Sequence, residues 1–196
     1  MSIQFGDLPA LSWLQEPASF DVAADTVSVT APAKTDWFID PNGKVSFDNA
    51  PALLFDAAKD FMLSSKVTVD FRSTYDAGVL TVYQHPKSWA KLCFERSPQG
   101  SPMIVSVVTK GTSDDCNSVP MTENSIYLRV SKIGNTYAFH SSSTGEFWHM
   151  VRYFALEDAP SKAGFLAQSP TGEGCKVTFS EVEFAYQTLK DIRSGE

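Results

Sequence analysis

Apolar residues recur along this chain in short runs, and clusters of Gly, Pro, Asn, Asp and Ser separate one run from the next. Within residues 61–71 the apolar side chains occupy alternate positions, and the same alternation runs from Ile126 to Val130. A period of two residues is typical of a β-strand that buries one face. The pattern therefore predicts antiparallel sheets, each with one buried and one solvated face.

Eleven strands are predicted in this way, and helical periodicity is almost absent. The predicted strands are residues 26–31, 36–40, 61–71, 77–84, 88–95, 103–109, 126–132, 136–141, 147–154, 163–169 and 175–186. Short turns join several of them: SPQGSP (97–102), KIGNT (132–136) and SSSTGE (141–146). Residues 51–59 are predicted to form a short helix or a turn, and the segment DIRSGE (191–196) a frayed tail.

Strands without helices must bury their apolar faces against a second sheet. The 196 residues suffice for one core, and no linker or internal repeat divides them. The sequence therefore predicts an all-β sandwich in which residues 1–196 form a single domain.

The negative net charge of the chain argues against two classes of partner. Lys and Arg number 16 against 23 Asp and Glu, so the net charge is -7, and the basic residues form no run. Nucleic acid and anionic membranes are not attracted by such an average field, and we expect neither as a partner.

The N-terminal stretch MSIQFGDLPALSWLQEP has neither the basic segment nor the apolar run of a signal peptide. Cys93, Cys116 and Cys175 are odd in number and lack CxxC spacing. Free thiols and a cytoplasmic location are the simplest prediction.

One predicted strand carries an unusual polar face. In SWAKLCFER (88–96), alternation places Trp89, Lys91, Cys93 and Glu95 on one face and Ala90, Leu92 and Phe94 on the other. The first face would present a row about 20 Å long, to which the next strand adds Ser106 and Thr109. An indole that covers the apolar side of a sugar ring, beside charged groups that bond hydroxyls, suits a saccharide. The alternative is a solvated sheet face with Trp89 packed under a loop.

Three further residues are candidates for the same groove. Asp36 and Trp37 begin an early predicted strand, where packing is the alternative role for the indole. Tyr75 lies shortly before Gly78, a position at which the missing side chain lets a backbone or a ligand approach. A simple turn is the alternative there.

Catalytic residues are not predicted. The face that contains Glu95 has only one acid, whereas glycosidases use two carboxyl groups. Lys91 occupies the place of the second acid, and a paired lysine is expected to lower the pKa of Glu95. Ser113, Asp114 and Asp115, predicted to lie in a loop, make a poor cation site, and no histidine has ligand spacing, so no metal or other cofactor is predicted.

An ordered series of short motifs carries a resemblance to a known family. The motifs are TDWF (35–38), YDAGVLTVY (75–83), WAKLCFE (89–95), SVVTKGTSDD (106–115), GEFWHMVR (145–152), GFLAQSPTGEG (164–174) and VTFSEVEF (177–184). Together they resemble the concanavalin-A-like sandwich family of unknown function that includes a yeast protein named for regulation of enolase. The resemblance spans about residues 10–187. It implies a jelly roll of two curved antiparallel sheets with one concave face, and a regulatory link to carbohydrate metabolism with a glycolytic enzyme as the partner.

Three functional hypotheses follow. The first is a non-catalytic binding or regulatory protein whose concave face holds a saccharide or a sugar-like metabolite. The second is a protein-interaction module that uses exposed aromatic side chains. The third is a carbohydrate-active enzyme that uses Glu95 and a second acid from another strand.

Overall fold

The computed structural model describes residues 2–196, which form two seven-stranded antiparallel sheets and one separate hairpin. The first sheet contains, in spatial order, β1 (Ser12–Gln15), β6 (Ala52–Asp56), β15 (Lys162–Gln168), β8 (Ala77–His85), β9 (Ser88–Arg96), β10 (Pro102–Lys110) and β11 (Thr112–Pro120). The second contains β14 (His149–Ala155), β13 (Thr136–Ser142), β12 (Ser125–Ile133), β7 (Phe61–Val69), β16 (Cys175–Ala185), β3 (Thr26–Ala31) and β2 (Ser19–Val22). The hairpin pairs β4 (Trp37–Ile39) with β5 (Ser46–Asp48).

The predicted all-β jelly-roll sandwich is confirmed. The two sheets pack face to face, and residues 2–196 contain no helix. Leu92 and Phe94 of β9 belong to the same buried cluster as Leu63 and Val67 of β7. The alternation predicted for β9 is therefore correct, because this face of the strand lies in the core between the sheets.

The opposite face of the first sheet is also buried over much of its area, which the alternation rule did not predict. On this outer face, Trp89 and Cys93 belong to a second buried cluster with Trp37 from the hairpin. β8, β9 and β10 are consequently buried on both faces over most of their length. The hairpin lies over these strands and replaces the solvent that an antiparallel sheet usually meets on one side.

Two local predictions were wrong for identifiable reasons. Residues 52–56 form β6 rather than a helix or turn, since a strand buried on both faces shows no alternation. Residues 112–120 form the edge strand β11 rather than a loop, although they are mostly polar and exposed. Only the pairing with β10 makes this segment a strand.

Two smaller expectations also change. A Cβ atom at Gly78 would lie within 2.5 Å of Val67 and 2.6 Å of Val177. The absence of a side chain at Gly78 therefore makes room for two valine side chains of the second sheet, and not for a ligand. The segment 191–196 packs against the second sheet instead of fraying: Gly195 is buried, and the carbonyl of Ile192 accepts a hydrogen bond from His140.

The three cysteines of the chain are free, and only Cys116 is exposed. Among residues 2–196 there is no helical segment long and apolar enough to cross a membrane.

Candidate binding cavity on the outer face

A cavity of about 490 Å³ lies between the outer face of the first sheet and the hairpin β4–β5. Its polar lining includes side chains from four separate parts of the chain: Asp36, Lys91, Glu95, Asp115, Asn117 and Gln168. Phe38, Phe47 and Tyr75 supply aromatic surface. Four of the predicted residues, Asp36, Tyr75, Lys91 and Glu95, thus meet in one cavity.

Lys91 is held at the floor of the cavity by two oxygen atoms. Its Nζ donates to Asp36 Oδ1 at 2.8 Å and to Gln168 Oε1 at 2.8 Å. Burial opposes the charged form of Lys91, but the adjacent Asp36 carboxylate outweighs it, and the pKa of Lys91 is raised. The ammonium group is therefore a charged and oriented donor whose charge is already balanced.

Glu95 differs from Lys91 in both its hydrogen bonding and its protonation. Its carboxyl group accepts no side-chain or backbone hydrogen bond within residues 2–196, whereas Lys91 points to Asp36 and Gln168. Burial raises the pKa of Glu95 to about 8, although Lys91 acts in the opposite direction. Lys91 does act to lower this pKa, as expected, but burial outweighs it, since the lysine donates its hydrogen bonds to Asp36 and Gln168. At neutral pH the Glu95 carboxyl is mostly protonated and can donate a hydrogen bond.

Asp115 and Asn117 were not predicted as groove residues, because their segment has no strand pattern. Strand register explains their position: Asp115 pairs with Val107, which pairs with Lys91, so the three lie in one row across the sheet. Asn117 occupies the corresponding place beside Val105. Burial, together with the charge of Asp36, raises the pKa of Asp115, although Lys91 lowers it.

Aromatic side chains form the mouth of the cavity. Tyr75 is 39% exposed and Phe47 is 40% exposed, so both rings offer a face to solvent. Tyr75 has a φ of +69°, a backbone conformation that non-glycine residues rarely adopt. The buried Asp76 carboxylate stabilises this turn, because it accepts hydrogen bonds from the backbone of Arg72 and Ser73 and from the Ser169 hydroxyl.

Trp89 and Trp37, predicted as groove residues, lie beneath the cavity and do not line it. Each is only 2% exposed, and their ring centroids are 5.9 Å apart. The indole N–H of Trp89 donates to the Pro86 carbonyl at 3.3 Å. The Lys91 ammonium lies 5.6 Å from the Trp89 ring centroid, so the indole supports the lysine from below.

Thr109 and Ser106 also differ from the predicted arrangement. Thr109 is on the outer face, but its hydroxyl bonds to Ser113 at 2.9 Å and is buried under the hairpin. Ser106 pairs with Leu92 and therefore faces the core between the sheets, where its hydroxyl has no partner. The prediction placed Ser106 on the wrong face, because the register between β9 and β10 puts it opposite a core residue.

No group of three or more His, Cys, Asp or Glu side chains within residues 2–196 is arranged to hold a metal ion. Two of the acids in this region are paired with cations: Asp36 with Lys91, and Asp114 with Arg152 at 3.1 Å.

Solved structures with the same architecture include proteins of different length. A functionally unknown protein from Saccharomyces cerevisiae matches with a TM-score of 0.84 and 26% identity, over 91% of this chain and 97% of that one. The GH43 protein BlXynB from Bacillus licheniformis matches with a TM-score of 0.71 and 11% identity, over 90% of this chain and 37% of that one. An alginate lyase from Alteromonas sp. 272 matches with a TM-score of 0.58 and 13% identity, over 91% and 95% of the two chains. At the last two identities the likeness concerns the fold alone.

No curated protein matches the sequence. A family model, described as a protein of unknown function (DUF1349), matches residues 13–187. This range contains nearly all strands of both sheets and every residue that lines the cavity. The chain belongs to the DUF1349 family of proteins of unknown function.

Proposed function

We propose that this protein is a non-catalytic binding or regulatory protein whose outer-face cavity holds a saccharide or a sugar-like metabolite. One observation carries the proposal: an oriented Lys91–Asp36–Gln168 group lies at the floor of a cavity whose mouth is aromatic. Ligand sites of this kind combine mainly apolar walls with a few fixed polar groups. The fold is also that of carbohydrate-active proteins, namely GH43 proteins and an alginate lyase.

The polar groups that remain free match the hydroxyl groups of a sugar. Glu95 has a protonated carboxyl group with no partner, and Asp115 and Asn117 add acceptors and donors across the sheet. The exposed rings of Tyr75 and Phe47 offer flat surfaces for the apolar face of a pyranose. In this proposal Trp89, Trp37 and Thr109 hold the floor in place, and Ser106 takes no part.

The charge of the cavity favours a neutral ligand. Lys91 is the cation of the lining, and Asp36 already balances it, whereas Asp115 adds a negative charge. A phosphate group would enter a region without a free cation and would be repelled by the net charge of -7. We therefore expect neutral mono- or oligosaccharides to bind better than sugar phosphates.

A ligand screen tests this function. Trp37 and Trp89 lie under the cavity floor, so their fluorescence should change when a ligand binds, and the thermal midpoint should rise. Neutral saccharides and the matching sugar phosphates are compared on the wild type and on Glu95→Leu, which removes both oxygen atoms at a similar side-chain volume. Saturable binding of a neutral saccharide that weakens about tenfold in Glu95→Leu supports the proposal. The absence of any saccharide response across the panel contradicts it.

A second candidate function is a carbohydrate-active enzyme that uses Glu95. The observation that favours it is the pKa of Glu95, about 8, beside the carboxyl groups of Asp36 and Asp115. A carboxylic acid that stays protonated at neutral pH is the usual general acid of a glycosidase, with an ionised carboxylate as its counterpart. Product analysis of oligosaccharides incubated with wild type and Glu95→Gln separates the two functions, because only the enzyme hypothesis predicts turnover that Glu95→Gln abolishes.

The family resemblance extends the first proposal to a regulatory role in carbohydrate metabolism, in the cytosol, with a glycolytic enzyme such as enolase as the partner. Phe147 and Tyr153, 76% and 48% exposed near the edge strand β14, offer apolar surface for a protein contact. Sedimentation of the chain with purified enolase tests this extension, with Phe147→Ser as the control for that surface. Two independently sedimenting proteins would reject the extension and leave saccharide binding standing.

A further inference from the structure

A second polar site lies on the far side of the molecule, on the outer face of the second sheet. Arg129 of β12 and His140 of β13 are direct cross-strand partners. Their neighbours along the strands, Leu128, Val130 and Phe139, point into the core, so Arg129 and His140 point away from it. The segment 189–196, named here the closing segment, lies over both side chains.

Arg129 is a buried cation without a carboxylate partner. The residue is 8% exposed, and no ion pair within residues 2–196 includes it. Its guanidinium carbon lies 4.1 Å from the Trp148 ring centroid, which fixes the plane of the group. Nη2 donates to the Gly195 carbonyl, whereas Nε is buried and has no hydrogen-bond partner among residues 2–196. Burial lowers the pKa of Arg129 to about 10, although the charge of Glu183 acts in the opposite direction.

His140, like Arg129, is buried and has one bonded nitrogen and one unpaired nitrogen among residues 2–196. The residue is fully buried, and its Nε2 donates to the Ile192 carbonyl at 2.7 Å. The other ring nitrogen, Nδ1, has no hydrogen-bond partner in the described part of the chain. Two neighbouring N–H donors therefore hold two carbonyl oxygens of the closing segment, which is how the same donors would hold the two oxygens of an anion.

A buried guanidinium is costly unless a carboxylate or a similar anion balances it. Backbone carbonyls satisfy only part of its hydrogen bonding and none of its charge. The unpaired Nε of Arg129 lies on the same edge of the guanidinium as Nη2, so only one of the two donors on this edge has a hydrogen-bond partner among residues 2–196. A planar carboxylate would fill both positions at once.

We propose that Arg129 and His140 form a binding site for a small monocarboxylate, and that the closing segment occupies this site in the structure. A cavity of about 260 Å³ adjoins Arg129, and Met62, Trp148 and Ala185 contribute apolar surface to its lining. Glu183 also lines it, so a doubly charged phosphate is less suited than a monoanion with an apolar body. The ligand would displace the carbonyls of Ile192 and Gly195. This site is independent of the cavity on the first sheet.

Gly195 provides a specific way to open the site. Its φ is +77°, and a Cβ atom there would lie 2.6 Å from Arg129 Nη2 and 2.8 Å from Trp148 Cβ. Gly195→Ala should therefore detach the closing segment without touching either sheet. Ser194→Ala is the matched control in the same turn, since Ser194 is exposed and its hydroxyl donates to the Asp191 carbonyl.

The experiment uses the full chain and sodium benzoate as the probe, with inorganic phosphate as the competing anion. Tryptic cleavage after Lys190 and Arg193 reports whether the closing segment is released, and calorimetry reports binding. We expect faster cleavage in Gly195→Ala, together with benzoate affinity about tenfold above that of wild type and Ser194→Ala, because two hydrogen bonds no longer compete. Phosphate should bind more weakly than benzoate.

The role of Arg129 is tested in the opened protein. Arg129→Lys keeps the charge but loses the planar fork, so the Gly195→Ala/Arg129→Lys variant should lose about tenfold in benzoate affinity while it retains its circular dichroism spectrum. Any of three results overturns the proposal: a closing segment as protected in Gly195→Ala as in wild type, no gain in benzoate affinity, or a gain that Arg129→Lys leaves unchanged.

Discussion

Lys91 and Glu95 show how two ionisable side chains on one strand face acquire different states. Lys91 meets Asp36 and Gln168 and stays charged, with a raised pKa. Glu95 meets no partner, and burial keeps its carboxyl group protonated to about pH 8. The cavity therefore presents a fixed cation and a neutral carboxylic acid, two different hydrogen-bond donors on one wall. Tyr75, in a strained backbone conformation, completes the site at the mouth.

The raised pKa of Glu95 predicts how stability depends on pH. The unfolded chain ionises this carboxyl group near its ordinary value of 4.5, whereas the folded protein ionises it only near 8. Between these values the folded state binds one more proton, so this group makes the free energy of unfolding fall as pH rises from 4.5 to 8 and no further above 8. Glu95→Gln should remove that slope and be more stable than wild type at pH 8. Urea unfolding at pH 5, 6.5 and 8 measures the difference.

The exposed Glu146→Gln is the control for a general change of charge, and it should keep the wild-type slope. Identical pH slopes in wild type and Glu95→Gln would contradict the burial assigned to this carboxyl group.

Because Trp89 is buried, we expect its substitution to change only the stability of the protein. Because the indole is 2% exposed and packs on Trp37, Trp89→Ala should lower the free energy of unfolding by about 3–5 kcal/mol. Phe147→Ala, at a ring that is 76% exposed, should change it by less than about 0.5 kcal/mol. Denaturant titration compares the two. Equal and small losses would mean that the indole does not lie in the second cluster.

At the scale of elements, the sequence pattern predicts most strands and several turns, because short apolar runs between turn residues mark a strand even where both faces are buried, as in β8, β9 and β10. It misses β6, the polar edge strand β11, and the short strands β1, β2 and β5. The same limit applies to the cavity. Alternation places Lys91 and Glu95 on one face, but strand register and the position of the hairpin decide that Asp115 joins them and that Trp89 does not.

The hairpin β4–β5 is the element that turns an open sheet face into a cavity, and Ser113 anchors it. Ser113 Oγ accepts a hydrogen bond from the Ile39 amide at 2.9 Å and bonds to the Thr109 hydroxyl at 2.9 Å. Ser113→Ala leaves both groups unsatisfied, so it should cost about 1–3 kcal/mol and expose the Ile39 amide. Hydrogen exchange at Ile39 measures this. Ser46→Ala, at an exposed hairpin position, should leave the Ile39 amide protected.

An Ile39 amide that exchanges equally slowly in Ser113→Ala would show that the hairpin is held by its apolar packing alone. In that case the second buried cluster, and not the hydrogen bond, would be the anchor of the cavity roof.

At the scale of the whole molecule, the sandwich separates two polar regions on opposite outer faces. The first sheet carries the cavity under the hairpin, and the second carries Arg129 and His140 under the closing segment. Each region is covered by a short segment that belongs to neither large sheet. The sequence pattern predicts a strand at residues 36–40 and names Asp36 as a groove candidate, but nothing in it shows that residues 36–49 and 189–196 cover the two outer faces.

A calorimetric titration shows whether the cavity on the first sheet binds a saccharide. The best neutral saccharide from the screen is titrated into wild type, Tyr75→Ala and Tyr153→Ala, two variants that each remove a partly exposed tyrosine ring, one at the cavity mouth and one on β14 of the second sheet. We predict that Tyr75→Ala weakens binding about tenfold or more and that Tyr153→Ala binds like wild type. Equal affinity in all three proteins, or no heat of binding in the wild type, would contradict a saccharide site on the outer face of the first sheet.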